Sequence, residues 1–351
     1  MCSALYQPIP DVSPARRALR VNIIGKSNGV GLARDIDLLV SALHGAGHLV
    51  DVTIIDAAQA KRRRSPLAQF AARARLAWGD AQARARTPGA DVNVMLEHVW
   101  LQYLSSAPVN VAVPNPEWFD SHDRRFVTDI DSVWAKTSYT HDLFRALGCK
   151  TTYIGFDSED RYDRAIAKQR TYFHLAGKST MKGTDRLVRL WQGHPEWPRL
   201  ILVQHQDGGV TPPSAPNIDA RVGYFSEAEL RRLQNESQFH LCLSLTEGWG
   251  HYIAEAMSVA AVTITVDARP MNELVGADRG VLVPYHGTGT QHLATTYQFD
   301  VAALEEAIER TIAMSDEECA RLGTGARAWF VENKSGFTGR IEAALLALDQ
   351  T

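Results

Sequence analysis

What this chain lacks narrows its range of functions. No apolar run approaches the ~18–20 residues a membrane-spanning helix needs. The opening residues, Met1 to Pro8, show no signal-peptide pattern. The four cysteines, Cys2, Cys149, Cys242 and Cys319, are scattered and lack the spacing of a metal site. Reduced thiols in a cytoplasmic protein are the simplest expectation. No eight-residue phosphate loop, Gly followed by four residues and Gly-Lys-Ser/Thr, is present. A dominant charge is missing too: Lys and Arg number 37, Asp and Glu 40, for a net charge of −3. That balance says little about nucleic acid, and nothing else in the sequence suggests it as a partner.

What is present reads as a soluble α/β protein. The 351 residues, 45% apolar and 22% charged, fit two globular domains. Strand patterns fall at Val21–Gly25, Val50–Ile55, Val92–Met95, Val109–Val113, Ser132–Ala135 and Thr151–Ile154. A helical face with Ile36, Leu39, Val40 and Leu43 follows the first strand and ends near Gly45. Continuous apolar strands between helices argue for a parallel, doubly wound sheet. The polar stretch from Asp157 to Arg170 reads as an interdomain linker. A second series follows at Tyr172–Ala176, Leu200–Val203, Phe239–Leu243, Val262–Val266 and Val281–Val283, before a helical end. The expected fold is α/β, two Rossmann-like domains (1–165 and 166–335) facing a central cleft.

The richest segment is Thr246-Glu247-Gly248-Trp249-Gly250-His251-Tyr252-Ile253-Ala254-Glu255-Ala256-Met257-Ser258. A buried-strand pattern precedes it. Ile253, Ala256, Met257 and Ala260 then recur at helical spacing. Strand, Gly-rich loop and helix N-terminus make an anion site, because glycines permit close backbone approach and the first helical N–H groups lack internal partners. Glu247 in the loop and Glu255 in the helix are acceptor-only carboxylates on either side of it. A ligand with a diphosphate in the middle and a hydroxylated group at each end suits that arrangement, and a nucleotide sugar has that shape.

The segment resembles the Glu-x7-Glu motif of glycosyltransferase family 4, a retaining group of the GT-B superfamily. Glu247, Gly248, the aromatic Trp249, Gly250, and Glu255 followed by Ala256-Met257 match that pattern. The resemblance implies a GT-B architecture with residues 336–351 as a helix crossing back to the first domain. It implies a retaining, metal-independent transferase, needing no cofactor. Such an enzyme moves a sugar from a nucleoside-diphosphate sugar, UDP or GDP above all, to a glycan, lipid-linked or other hydroxyl acceptor. Glu255 would hold the ribose and Glu247 would face the donor sugar, with Gly248, Trp249, Gly250, Tyr252 and Ile253 around the donor. The alternatives are a non-catalytic GT-B-like binding subunit and a nucleotide-sugar epimerase.

Other positions fit the same reading. Lys178 and Lys182, four apart and next to Gly177 and Gly183, can neutralise a leaving diphosphate. The pair resembles the family's Gly-Arg…Lys-Gly, with Lys178 where Arg is commoner. Gly29 and Gly31 form a turn after the first strand that can approach the donor. His98, beside Glu97 at a strand's carboxyl edge, falls where the family places a His near the donor sugar. Asn115 and Glu117 are candidates for the acceptor side. Arg269 and Glu273 are expected to shape the donor pocket, and Val222 to Ser226 to border the nucleobase. Asp129-Ile130-Asp131 precedes a strand instead of following one, so it is not read as a metal site. The basic stretch Lys61 to Arg86, interleaved with Leu67, Phe70, Leu76 and Trp78, suits peripheral contact with an anionic membrane.

Overall fold

Fully apolar strands need cover on both faces, and this chain supplies it twice. A computed structural model describes residues 17–26, 30–62, 65, 67, 70, 89–206 and 214–348. The first sheet holds β1 (Arg20–Lys26), β2 (Leu49–Ile55), β3 (Val92–Leu96), β4 (Val109–Val113), β5 (Ser132–Ala135) and β6 (Thr151–Tyr153). Its order is β2-β1-β3-β4-β5-β6, every pairing parallel. The second sheet holds β7 (Gln169–Gly177), β8 (Leu200–Gln204), β9 (Ile218–Val222), β10 (Ser237–Cys242), β11 (Val262–Val266) and β12 (Gly280–Val283). Its order is β12-β11-β10-β7-β8-β9, again all parallel. Every residue of β3, β8 and β11 is buried, including Asn93, Gln204, Thr263 and Thr265 among otherwise apolar residues. Chain order reverses between β1 and β3 and between β7 and β10. Crevices open at such points, outside the strand carboxyl ends.

Two features were not expected. Strand β9 buries only Ile218 and lies at the sheet edge, so it carries little apolar signal. A hairpin of β13 (Tyr285–Gln291) and β14 (Ala294–Phe299) is mostly exposed Thr and Gly on its first strand. Its tip closes onto the first lobe: Leu293 N donates to Pro116 O at 3.1 Å and Thr295 N to the Tyr139 hydroxyl at 2.8 Å.

The stretch Asp157–Arg170 connects the two sheets, and its start is built into the structure. Asp157, Ser158 and Arg161 are buried. The last helix, Asp316–Leu348, holds this stretch by side-chain contacts along its length. Arg327 pairs with Asp160, Lys334 with Asp157 at 2.7 Å, and Asn333 Nδ2 donates to Phe156 O at 2.7 Å. That helix packs on both the first helix (Val30–Gly45) and the helix His251–Ser258, so it bridges the lobes. Among the described residues, no helix is long and apolar enough to cross a membrane. The basic stretch Lys61–Arg86 lies almost wholly outside the described residues, apart from positions such as the exposed Leu67 and Phe70.

The last helix approaches the second lobe too closely for a side chain at Gly323, where a Cβ would lie 2.3 Å from Ala260 O. Gly323→Ala should therefore destabilise the fold by ~1–3 kcal/mol despite better helix propensity. Urea melts of the two proteins check this, and an equally stable variant would show that the contact is loose.

Candidate functional site: the cleft between the sheets

The carboxyl ends of the two sheets face each other across a cleft of about 930 Å³, at the upper end of the size of small-molecule sites. Lys26, Glu97, His98, Asn115, Glu117 and Lys136 line it from the first lobe. Lys178, Lys182, Tyr224, Glu247, Gly248, Gly250 and Glu255 line it from the second.

On the first-lobe side, His98 follows β3 and is buried, with Nδ1 2.8 Å from Asp123 Oδ2 and Nε2 3.5 Å from Glu97 Oε2. Its ring meets the edge of Trp100 at 5.6 Å, so the imidazole is held in one orientation. Asp120, His122 and Asp123 bring ligand-type atoms within 4.8 Å of one another. Asp120 is engaged in capping a short helix, however, and Asp123 in holding His98.

The motif loop lies directly against this side. Gly248 N donates to Glu117 Oε1 at 2.9 Å. A Cβ on Gly248 would sit 2.4 Å from Asn115 Oδ1, so only glycine allows the approach. Gly250, at φ 89°, adopts the left-handed turn that starts the helix. Ser244 Oγ donates to Glu247 Oε1 at 2.5 Å, and the Tyr252 hydroxyl braces Ser244 in turn. Burial raises the Glu247 pKa, with Lys182 and Ser244 opposing. Burial also pushes Glu117 up to about 8, and the neighbouring Glu247 adds to the shift.

Lys182 is half-buried, donates to Leu175 O at 2.8 Å and stands 4.1 Å over the Tyr252 ring. Burial lowers its pKa, Glu247 and Glu255 oppose, and Arg34 adds to the lowering. Lys178 is exposed at the rim. Glu255 is 1% exposed and accepts from Arg34 and from Gln234 Nε2 at 2.9 Å, with Arg161 Nε 3.5 Å away.

Several expected site residues do other work. Ile253 is fully buried in the core and does not line the cleft. It lies on the helix face turned to the sheet, so its side chain cannot reach a donor. Trp249 is 4% exposed, donates to Ser158 Oγ at 3.0 Å and stacks on Trp329, which makes it chiefly a brace. Glu273 accepts from Ser138 N and Tyr139 N at 2.6 and 2.7 Å, capping a first-lobe helix. Arg269 pairs with Asp142 at 3.0 Å. Arg269 and Glu273 thus clamp the lobes and do not shape the pocket. Gly29 lies outside the described residues, and Gly31 lines the cleft with open space around it. Tyr224, 89% exposed, stands at the rim.

A buried polar chain was missed. Lys136 Nζ lies 2.5 Å from Asp35 Oδ2 and donates to Asn115 Oδ1 at 3.0 Å. Asp35 Oδ1 is 2.7 Å from His251 Nε2, and His251 Nδ1 is 2.9 Å from Ser158 Oγ. Burial alone would raise the Asp35 pKa, but Lys136 and His251 outweigh it and hold it at about 2. Lys136 directly follows β5 and His251 sits inside the motif, so position offered a signal for both. Asp35 offered none beyond standing next to Ile36 on the first helix.

Three solved structures share this frame. A glycosyltransferase from Rickettsia africae superposes with a TM-score of 0.62 at 12% identity, covering 95% of this chain and 99% of that one. HepE from Anabaena, in complex with UDP and glucose, gives 0.63 at 15%, covering 94% and 100%. Sucrose-phosphate synthase from Thermosynechococcus elongatus gives 0.64 at 14%, covering 95% and 99%. The chain has the GT-B fold. No protein-family model matches the sequence, and no curated protein matches it.

The raised Glu117 pKa makes a pH prediction. Unfolded, this carboxyl ionises near 4.5, whereas folded it keeps its proton to about 8. Its contribution to stability is full below the lower value and is lost as pH rises through the upper one. Thermal melts between pH 5 and 8.5 should therefore fall more steeply for the wild type than for Glu117→Gln, which keeps the contact to Gly248 without titrating. Parallel curves would mean that Glu117 is solvated and ordinary.

Proposed function

We propose that this protein is a retaining, metal-independent glycosyltransferase that uses a nucleoside-diphosphate sugar. The observation that carries the proposal is convergence. Lys182, Glu247, Glu255 and the start of the helix His251–Ser258 meet on one wall of the cleft, with His98 on the other. The fold shared with HepE, whose structure holds UDP and glucose, supports a nucleotide donor for this cleft.

The roles follow from charge. Breaking the bond between the anomeric carbon and the phosphate oxygen builds negative charge on the departing diphosphate. Lys178, Lys182 and the first amides of the helix stabilise that charge. Burial lowers the Lys182 pKa, and the arriving dianionic group opposes that shift by favouring the ammonium form. Glu255 accepts from the ribose hydroxyls, Glu247 positions the sugar, and His98 lines its other face. The acceptor hydroxyl attacks from the face the diphosphate leaves, and its proton passes to the departing phosphate oxygen. The acceptor, a glycan or lipid-linked hydroxyl, enters past Asn115 and Glu117.

A thermal-shift screen of UDP- and GDP-sugars in EDTA tests the reading. At about a hundred times its dissociation constant, a ligand stabilises by ~2.7 kcal/mol. One nucleotide class should raise the melting temperature of the wild type and leave Glu255→Gln unmoved. A folded wild type that responds to none of them would overturn the reading.

A further inference from the structure

Arg34 is a first-lobe residue bound to a second-lobe carboxylate. It sits near the start of the first helix and reaches across the cleft to Glu255. Its side chain is 18% exposed, against 2% for Glu255. The two partners depend on this pair unequally. Glu255 also has Gln234 of the second lobe and Arg161 of the connecting stretch. Among the described residues, Arg34 has only the Glu255 carboxylate as an ionic partner. It lines the same cleft as Lys178 and Lys182, close enough to Lys182 to disfavour that residue's charge.

Two like charges facing one cavity call for an anion between them. A nucleoside diphosphate supplies one, together with two vicinal ribose hydroxyls. Those hydroxyls can donate to Glu255 in place of the Arg34 N–H groups. The freed guanidinium presents a planar fork that grips phosphate oxygens in a bidentate manner, which an ammonium cannot do. The second-lobe lysines that line the cleft, Lys178 and Lys182, offer ammonium groups and no such fork.

We propose that Arg34 changes partners when the donor binds. In the free protein it covers Glu255, where the ribose belongs; on nucleotide binding it swings to the diphosphate beside Lys182. The first lobe thereby contributes a cation to the leaving group, and each donor must displace Arg34 before seating its ribose. This inference rests on the nucleotide-sugar reading of the cleft.

The test reads opposite signs on two ligands. Ligand-observed NMR titrations, which reach millimolar affinities, would compare uridine with UDP and guanosine with GDP on full-length wild type, Arg34→Gln and Arg34→Lys. For the base whose diphosphate binds the wild type, Arg34→Gln should tighten the nucleoside several-fold, since a competitor for Glu255 is gone. It should weaken the diphosphate by about tenfold, the scale of one charge-assisted contact. Should Arg34→Gln not fold, Arg34→Lys carries the test. It should loosen the diphosphate relative to the nucleoside, because an ammonium cannot replace the fork. Tightening of both ligands would make Arg34 a cover alone and overturn the proposal. Weakening of both, or no tightening of the nucleoside, would make it part of the scaffold and overturn it as well. If neither diphosphate binds the wild type, the donor reading itself falls, and this inference falls with it.

Discussion

Asp35 sits between Lys136 and His251, and the geometry of the cleft depends on that buried charge. Lys136 belongs to the first lobe and His251 begins the motif helix of the second, so one carboxylate joins both walls. Removing one partner from a buried ion pair costs several kcal/mol, because the remaining charge is stranded. The chain runs on through Ser158 to Trp249, and Trp249 rests on the last helix. A segment that looks like a spacer thus becomes the joint between two sheets. The positions of Glu247 and Glu255 relative to His98 are fixed by this joint more than by any contact among those three.

The motif loop shows what such a joint permits. Gly248 lies flat against Asn115, and its amide is held by Glu117. Glu117 carries one proton too many for an ordinary carboxyl, because burial and Glu247 both oppose its ionisation. The free protein therefore holds its lobes together through a neutral acid at one point and ion pairs at others. Contacts of this kind can exchange for ligand contacts at little net cost, whereas the apolar packing beneath them cannot. Opening is thus expected at the cleft rim, while the sheets and the last helix stay intact.

Much of this was legible in the sequence. Eleven strands were legible from their apolar and β-branched residues, most clearly the wholly buried β3, β8 and β11. Glycines and carboxylates at fixed spacing marked the donor wall, and of the candidates between Glu247 and Glu255 all but Ile253 line the cleft. Ile253 misled because a motif is a string, whereas a helix turns successive residues to different faces. Arg269 and Glu273 lie near the motif in sequence but cap a helix of the other lobe. Asp35, Lys136 and Arg34 could not be paired from sequence: their partners lie 216, 101 and 221 positions away. The hairpin β13–β14 was silent because its first strand is largely Thr and Gly exposed to solvent.

The central claim is that the donor binds between the lobes and engages both. Hydrogen–deuterium exchange of the full-length protein, alone and saturated with UDP or GDP, tests it directly. The account predicts that one nucleotide slows exchange simultaneously in residues 30–36 of the first lobe and 244–256 of the second. Protection confined to the second lobe, or appearing away from both segments, would contradict it.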